Sequence, residues 1–261
     1  MHYEIFGRSG HRPPVVLSAG LGGMGAFWRP QHDSLATEQR VISYDHRGTG
    51  ANQEPLPDDY TIANMADDVV AILDESGSKT CNFMGHALGG LVGLDLALRY
   101  PDRVDSLILV NAWPKIDSST ERCFAMRLAL LEHAGVEAYV RAQPIFLYPS
   151  WWLSQHRDKI TQDDAHGVEH FQGTSNLLKR VRALLSYDAS TELARIQLPT
   201  LVTAARDDVL VPYTSSLALS AAIAGSRLSV VAEGGHAFSV TNASSFNSLV
   251  SGFLAEVSAR A

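Results

Sequence analysis

Cysteine is scarce in this chain: only Cys81 and Cys123 occur among its 261 residues. Two distant thiols supply neither a four-ligand metal cluster nor a disulfide framework, and their scarcity suits a reducing compartment. Long apolar runs are missing too. None approaches the about 18 residues of a membrane-spanning helix, and the opening MHYEIFGRSG lacks the apolar core of a secretory signal. A cytoplasmic chain without membrane contact is therefore expected. Positive charge is also short: 21 Lys and Arg stand against 28 Asp and Glu, a net charge of -7, with no basic run. That balance argues against a nucleic-acid or anionic-membrane surface. The expected partner is a small-molecule substrate, and a homodimer is compatible with such a chain.

What is present is enough for a full core. The chain is 46% hydrophobic and 19% charged, and its length fits one α/β domain carrying an insertion. Short apolar runs at residues 2–6, 15–19, 40–44, 81–84, 106–111, 200–205 and 227–232 read as strands. Helical patterns lie between several of them. Ile62, Met65, Ala66, Val69, Val70 and Leu73 fall on one helical face behind Thr61, a good N-cap. Strands alternating with helices imply right-handed crossovers and a mostly parallel sheet, with the site at the carboxyl ends of its strands.

The stretch CNFMGHALGG organises this pattern. Its apolar run, Gly85, Gly89 and Gly90, and the helical pattern ending at Tyr100 read as strand, sharp turn and helix. Glycines two before and two after a central residue are the spacing of a nucleophile elbow, which lifts that residue above the sheet. The central residue here is Ala87 rather than a nucleophile. A methyl group cannot attack a carbonyl carbon.

The rest of an acyl-transfer set is arranged around that position. Gly20-Leu21-Gly22-Gly23 follows a buried strand and lacks the Lys-Ser/Thr of a phosphate loop. It reads either as a plain strand-to-helix turn or as one half of an oxyanion hole, with backbone N–H groups from Leu21 and Leu88. ARDDVLVP and EGGHA follow the last two strands and supply an acid and a base in the order this architecture uses. Asp208 is the expected acid, Asp207 a turn-capping carboxylate and His236 the base. His46 and Arg47, in the turn DHRGTG, are assigned to structural hydrogen bonding, and His86 to support of the elbow.

Residues 113–189 differ from the flanking 1–112 and 190–261. They lack a buried strand pattern and are rich in aromatics, and they read as a helical cap inserted over the sheet of the α/β core formed by the flanking parts. Trp113 is the first choice for substrate contact, with Trp28, Tyr148 and Phe238 as further candidates. His133, His156, His166 and His170 have no metal-ligand spacing. No motif for a metal or an organic cofactor is present.

Taken together, AGLGG, YDHRGTG, GHALGG, ARDDVLVP and GGHA resemble the α/β-hydrolase fold superfamily. The insert, through NAWPKIDSSTERCF, AQPIFLYPSWW and HFQGTSNLLKRVRAL, is similar to that of the RutD group of the bacterial pyrimidine-utilisation pathway. Members of that group can carry Ala at the elbow. The resemblance implies a C–N hydrolase of uracil catabolism acting on aminoacrylate or carbamate, which also decompose unaided. With Ala87 in place, His236 and Asp208 would activate water instead of a serine. Two other readings stay open at the level of sequence: a serine esterase or C–C hydrolase inactivated by Ala87, and a small-molecule-binding protein without chemistry.

Overall fold

The apolar runs become seven strands: β1 (Tyr3–Phe6), β2 (Val15–Ser18), β3 (Val41–Tyr44), β4 (Cys81–His86), β5 (Val104–Val110), β6 (Thr200–Ala205) and β7 (Arg227–Val231). The computed structural model describes residues 1–7, 10 and 12–259. Between the first two strands, residues 8, 9 and 11 lie outside the described residues. The strands form one sheet in the order β1-β3-β2-β4-β5-β6-β7. Only β1 runs antiparallel, with Tyr3 opposite Tyr44, and every other pairing is parallel.

Every residue of β2, β3, β4 and β6 is buried, as expected of strands covered on both faces. The period-2 alternation of side chains then divides the core in two. Val16, Ile42, Phe83, Leu107 and Leu109 point to one cluster, and Val15, Leu17, Val41, Met84 and Ile108 to the other. Complete burial of such a side chain contributes about 1.5–3 kcal/mol.

The helices are α1 (Arg29–Ala36), α2 (Ile62–Glu75), α3 (Leu88–Arg99), α4 (Ser118–Leu147), α5 (Ser150–Gln155), α6 (Arg157–Glu169), α7 (Thr174–Ser186), α8 (Tyr213–Ala222), α9 (Phe238–Thr241) and α10 (Ala243–Ser258). A reciprocal cap begins α2: the Asn64 N–H donates to the Thr61 hydroxyl, and the Thr61 N–H donates to the Asn64 side chain. Its buried face includes Ile72, while Val70 is only half-buried, a small rotation from the sequence pattern. The second cluster packs against α1 and α10 through Leu35, Phe246, Val250 and Phe253.

Four helices, α4 to α7, lie between β5 and β6. Their stem is closed where Lys115 and Asp188 form an antiparallel bridge and an ion pair of 2.9 Å, and where the Ala189 N–H donates to the Pro114 carbonyl. Within α4 the backbone breaks at Gly135, with φ 86° and ψ -178°, so this stretch is two helices across a kink. Among the described residues no helix is long and apolar enough to cross a membrane.

Candidate active site

At the carboxyl end of β4 the chain reverses into α3 within one residue. Ala87 adopts φ 51° and ψ -112°, a conformation that costs a non-glycine residue on the order of 1–3 kcal/mol. The surroundings hold it there. Its N–H donates to the Val110 carbonyl at 2.8 Å, and its carbonyl accepts from Gly90 and Leu91. A Cβ on Gly85 would sit 2.1 Å from the Gly89 oxygen, and one on Gly89 would sit 2.3 Å from the Ser18 oxygen. Both glycines are thus required by the close approach of backbone, and the turn could not form with side chains there. Leu88 is the first residue of α3, whose opening N–H groups have no partner within the helix and carry its positive end.

The loop after β7 brings His236 to this turn. Its Nδ1–H donates to Asp208 Oδ2 at 2.7 Å, and both side chains are almost wholly buried. Asp208 Oδ1 accepts the N–H groups of Leu210 and Val211 at 2.8 and 2.9 Å, which fixes the carboxylate plane. Asp207 does different work: it caps the His236 loop by accepting from Gly234 and Gly235 at 3.1 and 2.9 Å. With Nδ1 committed to Asp208, His236 Nε2 is free of partners among the described residues and can accept a proton.

The backbone of His236 is gripped as firmly as its ring. Its carbonyl accepts from Asn111 Nδ2 at 2.6 Å and from His86 Nε2 at 2.9 Å. Asn111, at the end of β5, has φ 48°, a left-handed conformation that Asn tolerates better than most residues. His86 stacks on Phe27 and lies 4.5 Å, ring to ring, from His236. Burial first, and the neighbouring His236 second, hold His86 well below the ordinary histidine range, so it is a neutral prop. The insert reaches the same loop, because the Leu147 carbonyl accepts the Ala237 N–H at 2.9 Å.

Ala87, Leu88, Leu21 and Trp113 belong to one buried cluster, on the side of the sheet facing α2, α3 and the insert. Tyr148 follows Leu147 directly and stacks on Trp152; burial pushes its hydroxyl up to about 12. Trp28 and Phe238 lie in the other part of the core. Both are fully buried in the other cluster, where Phe246 stacks on Trp28 at 6.2 Å and meets Phe238 edge-on at 5.3 Å. Packing against α10 occupies both rings.

The sequence reading missed Asn111 and Arg180. Arg180 lies in α7 within the stripe Leu177, Arg180, Val181, Leu184, and a charge on an apolar helical face was the available signal. His46 and Arg47 are held by hydrogen bonds. His46 Nε2 contacts the Ser18 hydroxyl at 3.0 Å, and Arg47 pairs with Asp68 at 2.6 Å. Among the described residues no group of three or more His, Cys, Asp or Glu side chains is placed to hold a metal ion. A surface cavity of about 570 Å³ near Asp95, Arg99 and Tyr187 shares no residue with the His236 pair.

Comparison with known proteins agrees with this fold. The family model for the alpha/beta hydrolase fold matches residues 13–243. The chain belongs to the α/β-hydrolase fold family. Among its relatives are two proteins named "Putative carbamate hydrolase RutD". The one from Agrobacterium fabrum (strain C58 / ATCC 33970) is 47% identical over 97% of this chain and 98% of its own length. The one from Variovorax paradoxus (strain S110) is 49% identical over 99% of this chain and 97% of its own. These matches place the chain in the RutD group and make it a hydrolase. Of solved structures, the enol-lactonase from Burkholderia xenovorans LB400 superposes with a TM-score of 0.88 at 28% identity, covering 97% of this chain and 96% of that one.

Proposed function

We infer that this hydrolase cleaves a C–N bond in a small, labile substrate, aminoacrylate or carbamate, using water activated by His236 and Asp208 rather than a serine nucleophile. The observation that carries the reading is the 2.7 Å contact between His236 Nδ1 and Asp208 beside an elbow whose central side chain is a methyl. A nucleophile is missing from an otherwise complete acid–base arrangement.

A methyl where other family members carry a longer nucleophile leaves space for a water at His236 Nε2. His236 takes one proton from that water while the hydroxide oxygen bonds to the carbon bearing nitrogen; in carbamate the displaced C=O pair moves onto oxygen, and in aminoacrylate the displaced C=C pair moves through the adjacent carbon onto the carboxylate. The imidazolium that forms is stabilised by Asp208, whose charge is fixed by the Leu210 and Val211 N–H groups. Charge developing on the substrate oxygen is met by the N–H groups of Leu21 and Leu88. That pair returns as the C–N bond breaks, the proton passes from His236 to nitrogen, and ammonia leaves, with bicarbonate formed from carbamate and the enol of an aldehyde acid formed from aminoacrylate.

General base catalysis contributes typically about 10²- to 10⁴-fold, and one oxyanion donor about 10²- to 10³-fold. Those factors suffice for a substrate that already decomposes unaided, whereas an unactivated ester or amide would need covalent catalysis as well. The names of the RutD relatives support carbamate as the substrate type. The test is ammonia release from freshly generated aminoacrylate, and separately from carbamate, against a control without protein. Acceleration of either one is the expected result. Rates equal to the control for both substrates would remove the hydrolytic reading and leave a binding role.

A further inference from the structure

A fully buried arginine without a carboxylate partner stands beside the loop expected to supply one oxyanion donor. Arg180 Nη1 donates to the Gln172 side chain at 3.0 Å, while Nη2 lies 3.5 Å from the Gly20 carbonyl and 3.2 Å from His46 Nδ1. Its Nε has no partner among the described residues. Gln172 in turn donates to the Leu21 carbonyl at 3.3 Å, so guanidinium, amide and loop form one chain of contacts. The loop is shaped around the cation: a Cβ on Gly23, where φ is 75°, would sit 2.4 Å from Arg180 Nη1.

A second buried arginine, Arg127, lies in α4. Arg127 Nη2 donates to the Tyr139 hydroxyl at 3.3 Å and to the Gln143 side chain, its guanidinium lies over the Phe124 ring, and its Nε is also unpartnered. His46 stays neutral beside Arg180, because burial first and Arg180 second hold it well below the ordinary histidine range. Burial likewise pulls Arg180 down to about 10, and the groups that oppose this shift are the phenols of Tyr60, Tyr44 and Tyr139. No carboxylate among the described residues pairs with either arginine.

Burying a cation without an anion is costly, and an unpartnered N–H adds to that cost. Both are offset when a ligand brings the anion. We propose that Arg180 binds the planar CO₂⁻ group of the substrate beside the Gly20 to Gly23 loop, so that the site selects small carboxylate or carbamate anions over neutral molecules of the same shape. The planar fork of guanidinium donors matches such a group. The proposal rests on the hydrolytic reading for the identity of the ligand as substrate, but anion binding can be measured without turnover.

The experiment is a calorimetric titration of the intact protein with propionate and with its neutral isostere propionamide, repeated on Arg180→Met and Arg180→Lys, with unliganded melting temperatures in parallel. Propionate is expected to bind the parent and propionamide to bind at least tenfold more weakly. Loss of a charge-assisted pair corresponds to roughly 10- to 100-fold weaker propionate binding in Arg180→Met, with partial retention in Arg180→Lys. The melting temperature of Arg180→Met is expected to stay level or rise, since an unpaired buried charge has been replaced by an apolar side chain. Should Arg180→Met not fold, the lysine variant and the propionate–propionamide contrast in the parent still decide the question.

Bicarbonate is titrated alongside. Tighter propionate binding assigns the site to a carbon-borne carboxylate and tighter bicarbonate binding to a carbamate, and either supports the proposal if it depends on Arg180. Equal affinity for propionate and propionamide, unchanged anion binding in Arg180→Met, or no anion binding by the parent would each overturn it. Failure of ammonia release with Arg180-dependent anion binding intact would count against the hydrolytic reading alone.

Discussion

Replacing Asp208 by Asn preserves size and tests the proton logic of the site. In the parent, Asp208 Oδ1 accepts from Leu210 and Val211, and Oδ2 accepts the His236 Nδ1–H at 2.7 Å. In Asp208→Asn the side-chain oxygen would keep the two backbone donors, because both contacts require an acceptor. The amide NH₂ is thereby turned toward His236 and can only donate. His236 Nδ1 must become an acceptor, the proton moves to Nε2, and the atom facing water can no longer take a proton. Fold and burial should survive, since every backbone partner is retained.

The loss expected is the general-base contribution, about 10²- to 10⁴-fold in kcat, with a smaller effect on KM because Asp208 does not touch substrate. Two assays report on it: ammonia release, and ¹⁵N NMR of the imidazole, in which the protonated nitrogen changes from Nδ1 to Nε2. The NMR result does not depend on knowing the substrate. A variant that showed the tautomer change yet kept kcat within threefold of the parent would refute the role given to this pair.

Two further outcomes follow from the same contacts. His46 and His86 are held neutral by burial; in the unfolded chain each takes a proton near pH 6.5, so stability is intact above that pH and is lost as the pH falls through it. At about 1.4 kcal/mol per pH unit for each residue, the pair should cost up to about 3 kcal/mol between pH 7.5 and 5.5; equal urea midpoints at the two values would contradict it. Ala87→Gly should leave the melting temperature level or higher. Relief of about 1–3 kcal/mol of backbone strain offsets the roughly 0.4–1 kcal/mol of added unfolded-chain entropy and the about 0.8 kcal/mol of a lost methyl. A large fall in thermal stability would mean that the turn is not strained.

Much of this arrangement was legible because its causes are local. The elbow could be read from Gly85 and Gly89, since the close approach of β4, β2 and α3 admits no side chain there. Asp208 was separable from Asp207 by its spacing to Pro212; Asp208 takes the N–H groups of its own turn and meets His236, while Asp207 reaches across to the N–H groups of Gly234 and Gly235. The α2 cap was visible in Thr61. Other features depend on which side of the sheet a residue meets, and the sequence carries little of that information. Trp28 and Phe238 looked like pocket aromatics, yet α10 covers both. Asn111 matters through a carbonyl contact 125 residues away in the chain. Arg180 left a trace as a charge on an apolar helical face, but the Gly20 loop it meets lies 160 residues earlier.

The most direct test of water activation at a nucleophile-free elbow is the rate of ammonia release by the parent, His236→Ala and Ala87→Gly, measured side by side on whichever substrate the parent accelerates. His236→Ala should fall by about 10²-fold or more, as expected for loss of a general base. Ala87→Gly should remain within a few-fold of the parent, because the methyl takes no part in the chemistry. An active His236→Ala variant, or an Ala87→Gly variant that folds normally but loses its activity, would contradict the mechanism.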